Sequence, residues 1–275
     1  MNTIVGIDIG GSTTKISGFL GTELLKCIQV EASNPIASLF GAFGQFLTEN
    51  ELDLSDIAEI RLTGVGSSGV TKLIYGIPTF KVEEFVANGV GGRYFSKEEK
   101  SVVVSMGTGT AVVHARADGT INYLGGTGVG GGTLLGLSKL LVGATDVVHI
   151  AEFVGKGDLG NVDLRIKDMT ASGTQPVINA DMTAANFGNV SDVATKADIA
   201  KGIANLVYET VGMVSIFASR SVGVTDIVLT GNLTRLDSCR AKFDEFNGLG
   251  YGVRFVVPEF SEFSTAIGCA ISAFG

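Results

Sequence analysis

The stretch VGIDIGGSTTKISGF, residues 5–19, joins two β-rich apolar runs through a turn that contains Gly10 and Gly11. Apolar and β-branched residues favour strands, and a short glycine-containing turn between two such runs favours antiparallel pairing. A second turn at Gly21-Thr22 leads into ELLKCIQV, so three antiparallel strands in meander order are predicted. Beyond them, the strand-like runs AEIRLTG and PTFKV alternate with helix-like segments. This alternation is typical of an α/β architecture.

Composition sets limits on what such a fold can bind. The 275 residues, 45% hydrophobic and 17% charged, suffice for one large domain or two modest lobes. The 20 basic and 28 acidic side chains give a net charge of −8, which disfavours nucleic-acid and anionic-membrane partners. Cys27, Cys239 and Cys269 form no CxxC pair, which fits a reducing cytoplasm without disulfides or a cysteine metal site. We expect no signal peptide and no membrane span.

The opening pattern occurs a second time. VVVSMGTGTAVVHAR, residues 102–116, again has an apolar strand, a polar residue, a glycine-rich turn, a threonine and an apolar strand. Asp8 aligns with Ser105 and Thr13 with Thr110, both at an offset of 97 residues. DGTINYL adds a further hairpin strand. The repeat predicts two related lobes, residues 1–98 and 99–275, with a cleft between them.

The two repeated turns are candidate phosphate-binding loops. Their glycines uncover backbone N–H groups, and their hydroxyls add donors that could hold a polyphosphate from both sides. Asp8 could hold Mg²⁺ through water and Lys15 could neutralise phosphate charge. Either turn alone could equally be an ordinary hairpin, but the recurrence favours phosphate binding. The residues concerned are Gly10, Gly11, Ser12 and Thr13 in the first turn, and Gly107, Thr108, Gly109 and Thr110 in the second.

A third glycine cluster, GGTGVGGGTLLGLSKLL at residues 125–141, leads directly into a leucine-rich helix. A helix N-terminus with free N–H groups favours the binding of a phosphate group. The spacing fits neither a Walker loop nor a dinucleotide fingerprint. We therefore expect Gly128, Gly130, Gly131 and Gly132 to contribute to nucleotide binding through this helix start.

In this order, GIDIGGSTTK, VSMGTGT, GGTGVGGGTLLGL and LTGNL (229–233) resemble the acetate and sugar kinase, Hsp70 and actin superfamily. GDLGNVDLRIKDM (157–169) and DMTAANFGN (181–189) extend the resemblance to type II pantothenate kinases over essentially the whole chain. The resemblance implies a two-lobed, actin-like (ribonuclease H-like) α/β fold with duplicated mixed sheets, flanking helices and a nucleotide cleft. It also implies a cytoplasmic homodimer that uses ATP and Mg²⁺ to phosphorylate the hydroxyl of pantothenate, opening coenzyme A biosynthesis.

The same resemblance assigns site residues. The family's catalytic glutamate matches Glu84 in PTFKVEEFVANG, and a carboxylate there would accept the proton of the attacking hydroxyl. Glu83 and Glu84 could also both serve only the helix dipole, but adjacent helical residues point about 100° apart, so one alone can face the cleft. By the same resemblance, Ser105 and Thr127 would contact substrate, and the Gly231 loop would cover the adenosine.

One position departs from the family pattern. Type II pantothenate kinases usually carry an arginine just before the third glycine cluster, where it binds the pantothenate carboxylate, and the matching residue here is Tyr123. A phenol offers one neutral hydrogen bond in place of a bidentate ionic pair. Either Arg116 or Arg93 takes over this role, or Tyr123 and its neighbours accept a different or less acidic substrate.

Two other functions stay open. One is a kinase of another small hydroxylated substrate, such as an amino sugar, and the other is a nucleotide-binding sensor or pseudokinase, against which the presence of both Asp8 and Glu84 argues. A dehydratase-activating ATPase is disfavoured because it would need cluster-ligating cysteines paired across a dimer. The long apolar segment around residues 193–223 predicts one helix and a dimer face. Phe217 within it is expected in the core.

Overall fold

A computed structural model describes residues 3–31, 34–96, 98–170 and 179–272. Its first sheet contains β1 (Thr3–Ile9), β2 (Thr13–Leu20), β3 (Glu23–Leu24), β4 (Ile28–Glu31), β5 (Ile57–Thr63) and β6 (Thr79–Lys81). The order is β3-β2-β1-β5-β6, with β4 also paired to β2. β1 and β2 are antiparallel, whereas β1, β5 and β6 are parallel. The predicted meander is confirmed, and the crossovers make the sheet mixed.

Two helices flank this sheet, α1 (Pro35–Glu49) and α2 (Glu84–Phe95). The Asn34 side chain accepts hydrogen bonds from the N–H groups of Ile36 and Ala37, and Pro35 occupies the first helical position, so α1 begins where its sequence favours a start. Its buried residues Leu39, Phe43 and Phe46 pack on the odd-numbered, inward-facing residues of β1. The first core is therefore formed by α1 and one face of the sheet.

The second sheet repeats the arrangement of the first. It begins with β7 (Lys100–Met106), β8 (Thr110–Arg116) and β9 (Ile121–Thr127). β7 and β8 start at the 97-residue offset from β1 and β2, so the predicted repeat is confirmed at the level of strands. A two-stranded sheet, β10 (Leu164–Arg165) with β11 (Thr183–Ala185), follows, and β12 (Asp226–Thr230) and β13 (Arg254–Val256) complete the order β13-β12-β7-β8-β9. The boundary between lobes at residue 98 stays a prediction.

The remaining helices all follow β9. They are α3 (Gly131–Leu137), which continues as one π-helical turn (Ser138–Val142), α4 (Val147–Lys156), α5 (Ile166–Met169), α6 (Lys196–Val222), α7 (Asp237–Gly248) and α8 (Ser264–Ile271). Short 3-10 turns occur at Leu54–Asp56, Val65–Gly69, Leu159–Asn161, Asn232–Arg235 and Ser261–Phe263. α8 lies between the first sheet and α2: an added Cβ at Gly6 would lie 2.1 Å from the carbonyl oxygen of Ala266, and one at Gly91 1.9 Å from that of Ser264. This packing places the start of α2 near the end of β1.

The long helix predicted around residues 193–223 is confirmed as α6, but Phe217 is not in the core. Its neighbour Ile216 is fully buried, whereas Phe217 is 59% exposed, because a rotation of about 100° per residue turns it away from the second sheet. Within the described residues, α6 is long and apolar enough to cross a membrane, as is the bent pair formed by residues 131–142 and 147–156. Most of α6 is buried inside the protein, as in a core helix.

The start of α6 depends on Asp198. Its carboxylate accepts hydrogen bonds from the N–H groups of Thr195 and Asp158, the Thr195 hydroxyl and the Asn161 amide. These bonds lower the pKa of Asp198 to about 2. Because the folded pKa lies below the ordinary value of 3.8, this stabilisation is present above pH 4 and is lost as the pH falls toward 2.

Asp198→Ala is expected to lower the free energy of unfolding by about 2–3 kcal/mol, since it removes a cap together with four hydrogen bonds to a charged acceptor. Thermal unfolding at pH 7 should shift down by roughly 4–10 °C for a chain of this size. Asp192→Ala, at an exposed position four residues before Lys196, the first residue of α6, is the control and should leave the transition in place. Equal transitions for both variants would contradict the capping role.

Candidate active site

The two repeated glycine turns touch. Ser12 Oγ lies 3.4 Å from Thr108 Oγ1, and an added Cβ at Gly11 would lie 3.8 Å from the same atom. The first turn is closed by the Gly10 N–H, which donates to the Thr13 carbonyl at 3.0 Å. Residues 96 and 97 positions apart in sequence therefore form one surface, with the Thr108 hydroxyl next to Gly11 and Ser12 of the first turn.

A third loop joins them at residues 231–235. The Asn232 amide donates to Thr13 Oγ1 at 3.2 Å, and the Gly231 N–H donates to the Ser261 carbonyl at 3.0 Å. Asn232 Oδ1 is buried without a hydrogen-bond partner within the part of the chain that the structure describes. The Gly231 loop is thus in direct contact with the first turn.

Asp8 lies in a polar row across the first sheet. Its register partner on β2 is Lys15 and its partner on β5 is Thr63, while Lys15 is in turn opposite Gln29 on β4. Register partners project from the same face of a sheet, so these four side chains share the face that carries α8. Loss of hydration raises the pKa of the Asp8 carboxyl, and the charge of Lys15 lowers it by less.

Lys15 is buried inside the sheet, only 5% exposed, and does not lie in the turn itself. Loss of hydration lowers the pKa of its ammonium group, while Asp8 and Glu262 raise it and Arg235 lowers it further. The cation is therefore held beside Asp8 by the strand pairing. Its predicted role of neutralising phosphate charge stays a prediction.

Glu84 is the first residue of α2, with Glu83 as the preceding cap residue. Desolvation raises the pKa of the Glu84 carboxyl, and the negative charge of Asp8 raises it further. Asp8 and Glu84, which the sequence separates by 76 positions, are therefore close enough to interact electrostatically. A carboxylate with a raised pKa is suited to accept a proton near neutral pH.

Four of the predicted donors are used within the protein: the Gly10 N–H, as described above, the Thr110 hydroxyl, and the N–H groups of Gly131 and Gly132. Thr110 is 6% exposed, and its hydroxyl donates to the Val129 carbonyl at 2.8 Å, so the expectation that it points a donor toward a ligand is wrong. The expectation of free N–H groups at Gly131 and Gly132 is also wrong: they donate to the carbonyls of Gly107 and Thr108 at 2.9 and 2.8 Å. The second turn itself occupies the start of α3.

This contact explains the third glycine cluster. An added Cβ at Gly130 would lie 2.8 Å from the Thr108 carbonyl oxygen, and one at Gly131 2.9 Å from that of Gly107. Glycine is therefore required for backbone-to-backbone packing of this cluster on the second turn. Gly128, by contrast, is exposed with nothing near its Cβ position, so it stays a candidate nucleotide-binding residue. The cluster fixes the shape of the second turn.

Of the predicted substrate residues, Tyr123 contacts the start of α2. Tyr123 on β9 is 52% exposed, and its ring stacks on Phe85, the neighbour of Glu84, with ring centroids 4.1 Å apart and an interplanar angle of 19°. Ser105 lies near the end of β7, opposite Ala111. The Thr127 hydroxyl oxygen accepts the Val129 N–H at 3.1 Å, which leaves its own proton available.

Neither arginine considered as a substitute for the missing family arginine lies where it would be needed. Arg93 is in the last turn of α2, about 13 Å along the helix from Glu84, and its guanidinium donates to the Glu98 carbonyl. Arg116 is three residues beyond Val113, the register partner of Tyr123, and strand alternation turns it to the opposite face. Neither Arg93 nor Arg116 therefore supplies a cation beside Tyr123.

Three contributors to the site were missed from sequence. Thr63 and Gly64 approach Asp8 from β5, and Phe85 supports Tyr123. The glycine that directly follows the strand AEIRLT was a signal for the first two, since a glycine at a strand end often marks a close backbone approach. The Phe85 contact had no local signal because it joins α2 to β9.

The donors near Asp8 are suited to a magnesium ion that arrives with a nucleotide. Among the described residues, no group of three or more His, Cys, Asp or Glu side chains could hold a metal ion. Mg²⁺ is usually held by one or two carboxylates, with phosphate and water completing its shell. Asp8, with Glu84 nearby, meets that requirement.

Known proteins with similar sequences include kinases. The profile of the Fumble family matches residues 96–243, more than half of the chain. A type II pantothenate kinase of Bacillus cereus is 28% identical over 241 residues, which cover 84% of this chain and 83% of that protein. A type II pantothenate kinase of Oceanobacillus iheyensis is 29% identical over 236 residues, covering 82% and 83%.

Solved structures share the fold. The activator of the 2-hydroxyisocaproyl-CoA dehydratase from Clostridium difficile, with bound ADPNP, has a TM-score of 0.71 at 18% identity and covers 99% of this chain and 94% of its own. The ROK hexokinase from Thermus thermophilus has a TM-score of 0.54 at 12% identity, covering 98% of each chain. At these identities the likeness shows the fold alone, and it confirms the predicted actin-like α/β class. By the match to the family profile, the chain belongs to the Fumble family.

Proposed function

We propose that this protein transfers the terminal phosphoryl group of ATP to the primary hydroxyl of pantothenate, giving 4′-phosphopantothenate, the first step of coenzyme A biosynthesis. The observation that carries the proposal is the contact of the two glycine turns, Ser12 with Thr108, at the end of the strand that carries Asp8. The type II pantothenate kinases that match more than four fifths of the chain support the choice of substrate.

ATP would lie along the joined loops. Its phosphates would meet the N–H groups of Gly11, Gly107 and Gly109 and the hydroxyls of Ser12, Thr13 and Thr108, while the Gly10 N–H keeps the first turn closed. A cavity of about 550 Å³ between α4, α6 and α7 begins at Arg235, the residue that ends the Gly231 loop, and has room for the nucleoside. Its lining includes apolar Val154 and Leu159 and polar Asn205, a mixture suited to a purine.

Glu84 would act as the general base. Its carboxylate accepts the proton of the substrate hydroxyl as the oxygen forms a bond to the γ-phosphorus, and the bond between that phosphorus and the β,γ-bridging oxygen breaks to release ADP. A bound Mg²⁺ would supply charge neutralisation at the phosphates. Asp8 would hold that ion, and the glycine-turn N–H groups would orient the transferred group.

The protein is further proposed to work as a cytoplasmic homodimer. The support is a partly exposed face of α6 that includes Phe217, a residue that the sequence predicted to lie in the core. All three cysteines are unpaired, which suits a reducing compartment. Cys239 and Cys269 are buried, and burial raises the pKa of the Cys239 thiol to about 12. Buried thiols of this kind do not resemble ligands of a surface cluster, which disfavours the activator function of the structural neighbour.

A second candidate substrate is supported by Tyr123. The surface next to Glu84 is the exposed face of an aromatic pair, and aromatic faces bind the apolar faces of sugars and attract cations in place of carboxylates. A less acidic hydroxylated substrate, such as an amino sugar, would therefore suit this wall of the site. The kinase chemistry of Glu84 would be the same for either substrate.

Tyr123→Arg is expected to lower the KM for pantothenate by about 10- to 100-fold, the usual value of a charge-assisted pair, if pantothenate is the substrate. The guanidinium can stack on Phe85 and so keep the position of the phenol ring. Steady-state kinetics with pantothenate measure the effect, and Tyr123→Phe, which keeps the stack and removes the hydroxyl, is the control. An unchanged KM in Tyr123→Arg would count against a missing carboxylate contact.

The decisive experiment tests both candidate substrates in one incubation. The purified chain is incubated with ATP, Mg²⁺ and a mixture of pantothenate and hexosamines, and products are identified by mass spectrometry. Phosphopantothenate would support the proposal, and phosphorylated hexosamine would support the second candidate. Nucleotide binding without any phosphorylated product would refute both and favour a sensor.

A further inference from the structure

Thr63 lies beside Asp8 with its hydroxyl unused. The parallel register of β1 and β5 places Thr63 opposite Asp8, on the side away from Lys15. The residue is 1% exposed, and its Oγ1 has no hydrogen-bond partner among the described residues. A buried hydroxyl without a partner is unfavourable, so an acceptor within reach is expected to bind it in the working state. The register makes the Asp8 carboxylate that neighbour.

Gly64 shapes the other side of the carboxyl. Its φ is +84°, and an added Cβ would lie 2.5 Å from Asp8 Oδ1 and 2.6 Å from the Ile9 carbonyl oxygen. Any other residue would have to displace the carboxyl or the end of β1. The absence of a side chain at position 64 is therefore what lets the Asp8 carboxyl occupy its place.

We infer that Thr63 and Gly64 are positioning residues for Asp8. In the working state the Thr63 hydroxyl, which has no partner among the described residues here, donates a hydrogen bond to the ionised carboxylate, and Gly64 leaves the volume in which the carboxylate lies. With Lys15 attracting it from β2, the carboxylate is held between a cation and a hydroxyl at the end of β1. This inference rests on the role proposed above for Asp8 and adds no group that touches substrate.

Thr63→Val tests the hydrogen bond because it keeps the shape and removes the hydroxyl. We expect kcat to fall by about 10- to 100-fold, the value of a hydrogen bond to a charged group, and the Mg²⁺ concentration for half-maximal activity to rise. The KM of the hydroxyl substrate should stay unchanged, and Thr63→Ser should restore both altered quantities. A Thr63→Val variant with wild-type kcat and Mg²⁺ dependence would overturn the role of Thr63.

Gly64→Ala tests the volume, and Gly76→Ala is its matched control. Gly76 has a similar φ of +79° but nothing within 4 Å of its Cβ position, so that substitution adds the backbone strain alone. Gly76→Ala should lose thermal stability through backbone strain alone, Gly64→Ala should lose more because its Cβ also meets the Ile9 backbone, and only Gly64→Ala should lose turnover and Mg²⁺ affinity. Equal kinetics in the two variants would overturn the role of Gly64.

A crystal structure of each variant with Mg²⁺ and a non-hydrolysable ATP analogue, the state in which the hydrogen bond is expected, separates this inference from the proposed function. Displacement of the Asp8 carboxyl in Thr63→Val and Gly64→Ala, but not in Gly76→Ala, would support the inference even if the wild-type chain phosphorylates none of the substrates offered. An Asp8 carboxyl in its wild-type place in both site variants would refute it, even if the wild-type chain is an active kinase.

Discussion

Glu84→Gln is expected to lower turnover by about two to four orders of magnitude, the usual contribution of a general base. Glutamine keeps the size of the side chain and its place at the start of α2, but its amide cannot accept the hydroxyl proton. ATP binding should persist, because the glycine turns and the Gly231 loop are formed without Glu84. Single-turnover kinetics and calorimetric ATP binding measure the two effects separately.

Glu83→Gln is the matched control for this prediction. Glu83 immediately precedes Glu84, is exposed, and makes no capping hydrogen bond with its side chain. It undergoes the same chemical change one position away and about 100° around the helix. Turnover close to wild type in Glu84→Gln, or an equal loss in both variants, would remove Glu84 from the mechanism.

The same residue predicts the acid side of the pH profile. A general base works in its ionised form, and both desolvation and the charge of Asp8 raise the pKa of Glu84 above its ordinary value of 4.5. Activity should therefore fall as the pH drops through a point above 4.5, with a slope of one in log kcat/KM. In Glu84→Gln this limb should disappear from the residual rate.

The repeat was readable from sequence because both of its copies are local. Each is a strand, a glycine turn and a strand, and the 97-residue offset carried over unchanged to β1 and β7 and to β2 and β8. The position of Glu84 at a helix start was also predictable, since strand PTFKV is followed by acidic residues suited to a first turn. Local pattern thus determined the strands and the order of the loops.

The partners of individual polar groups were not predictable. Glycines and a threonine in loops suggest free donors, yet Thr110, Gly131 and Gly132 donate to carbonyls of neighbouring loops. Whether a donor faces ligand or protein depends on how the third cluster packs on the second turn, which is a contact between segments some 20 residues apart. A local sequence pattern does not predict such a contact between two segments.

The surroundings of Asp8 and Tyr123 depend on tertiary structure in the same way. Thr63 reaches Asp8 only through the parallel pairing of β1 with β5, and Phe85 reaches Tyr123 only because α2 packs on β9. The sequence alone offered no reason to prefer Arg93 or Arg116 as the replacement for the family arginine. In the structure, the length of α2 separates Arg93 from the site at the start of that helix, and strand alternation places Arg116 on the face opposite to Tyr123.

Asp8→Asn is expected to abolish most of the Mg²⁺-dependent activity while the fold is retained. The amide keeps the volume beside Gly64, but it loses the negative charge that holds a divalent cation, and metal neutralisation of the phosphates contributes several kcal/mol to such reactions. Turnover should fall by about two orders of magnitude or more at limiting Mg²⁺, measured as rate against free Mg²⁺. Binding of metal-free ATP should be equal or tighter, since one repulsive charge is gone.

Asp192→Asn makes the same change at an exposed position and should leave the Mg²⁺ dependence untouched. A second readout needs no metal: because the charge of Asp8 raises the pKa of Glu84, Asp8→Asn should lower that pKa in the nucleotide-free protein, observed by carbon-13 NMR titration of the Glu84 carboxyl. An Asp8→Asn variant with normal activity at limiting Mg²⁺ would exclude Asp8 as the metal-binding group. An unchanged Glu84 pKa would show that the two carboxyl groups are not coupled, and would separate the proposed general base from the proposed metal-binding group.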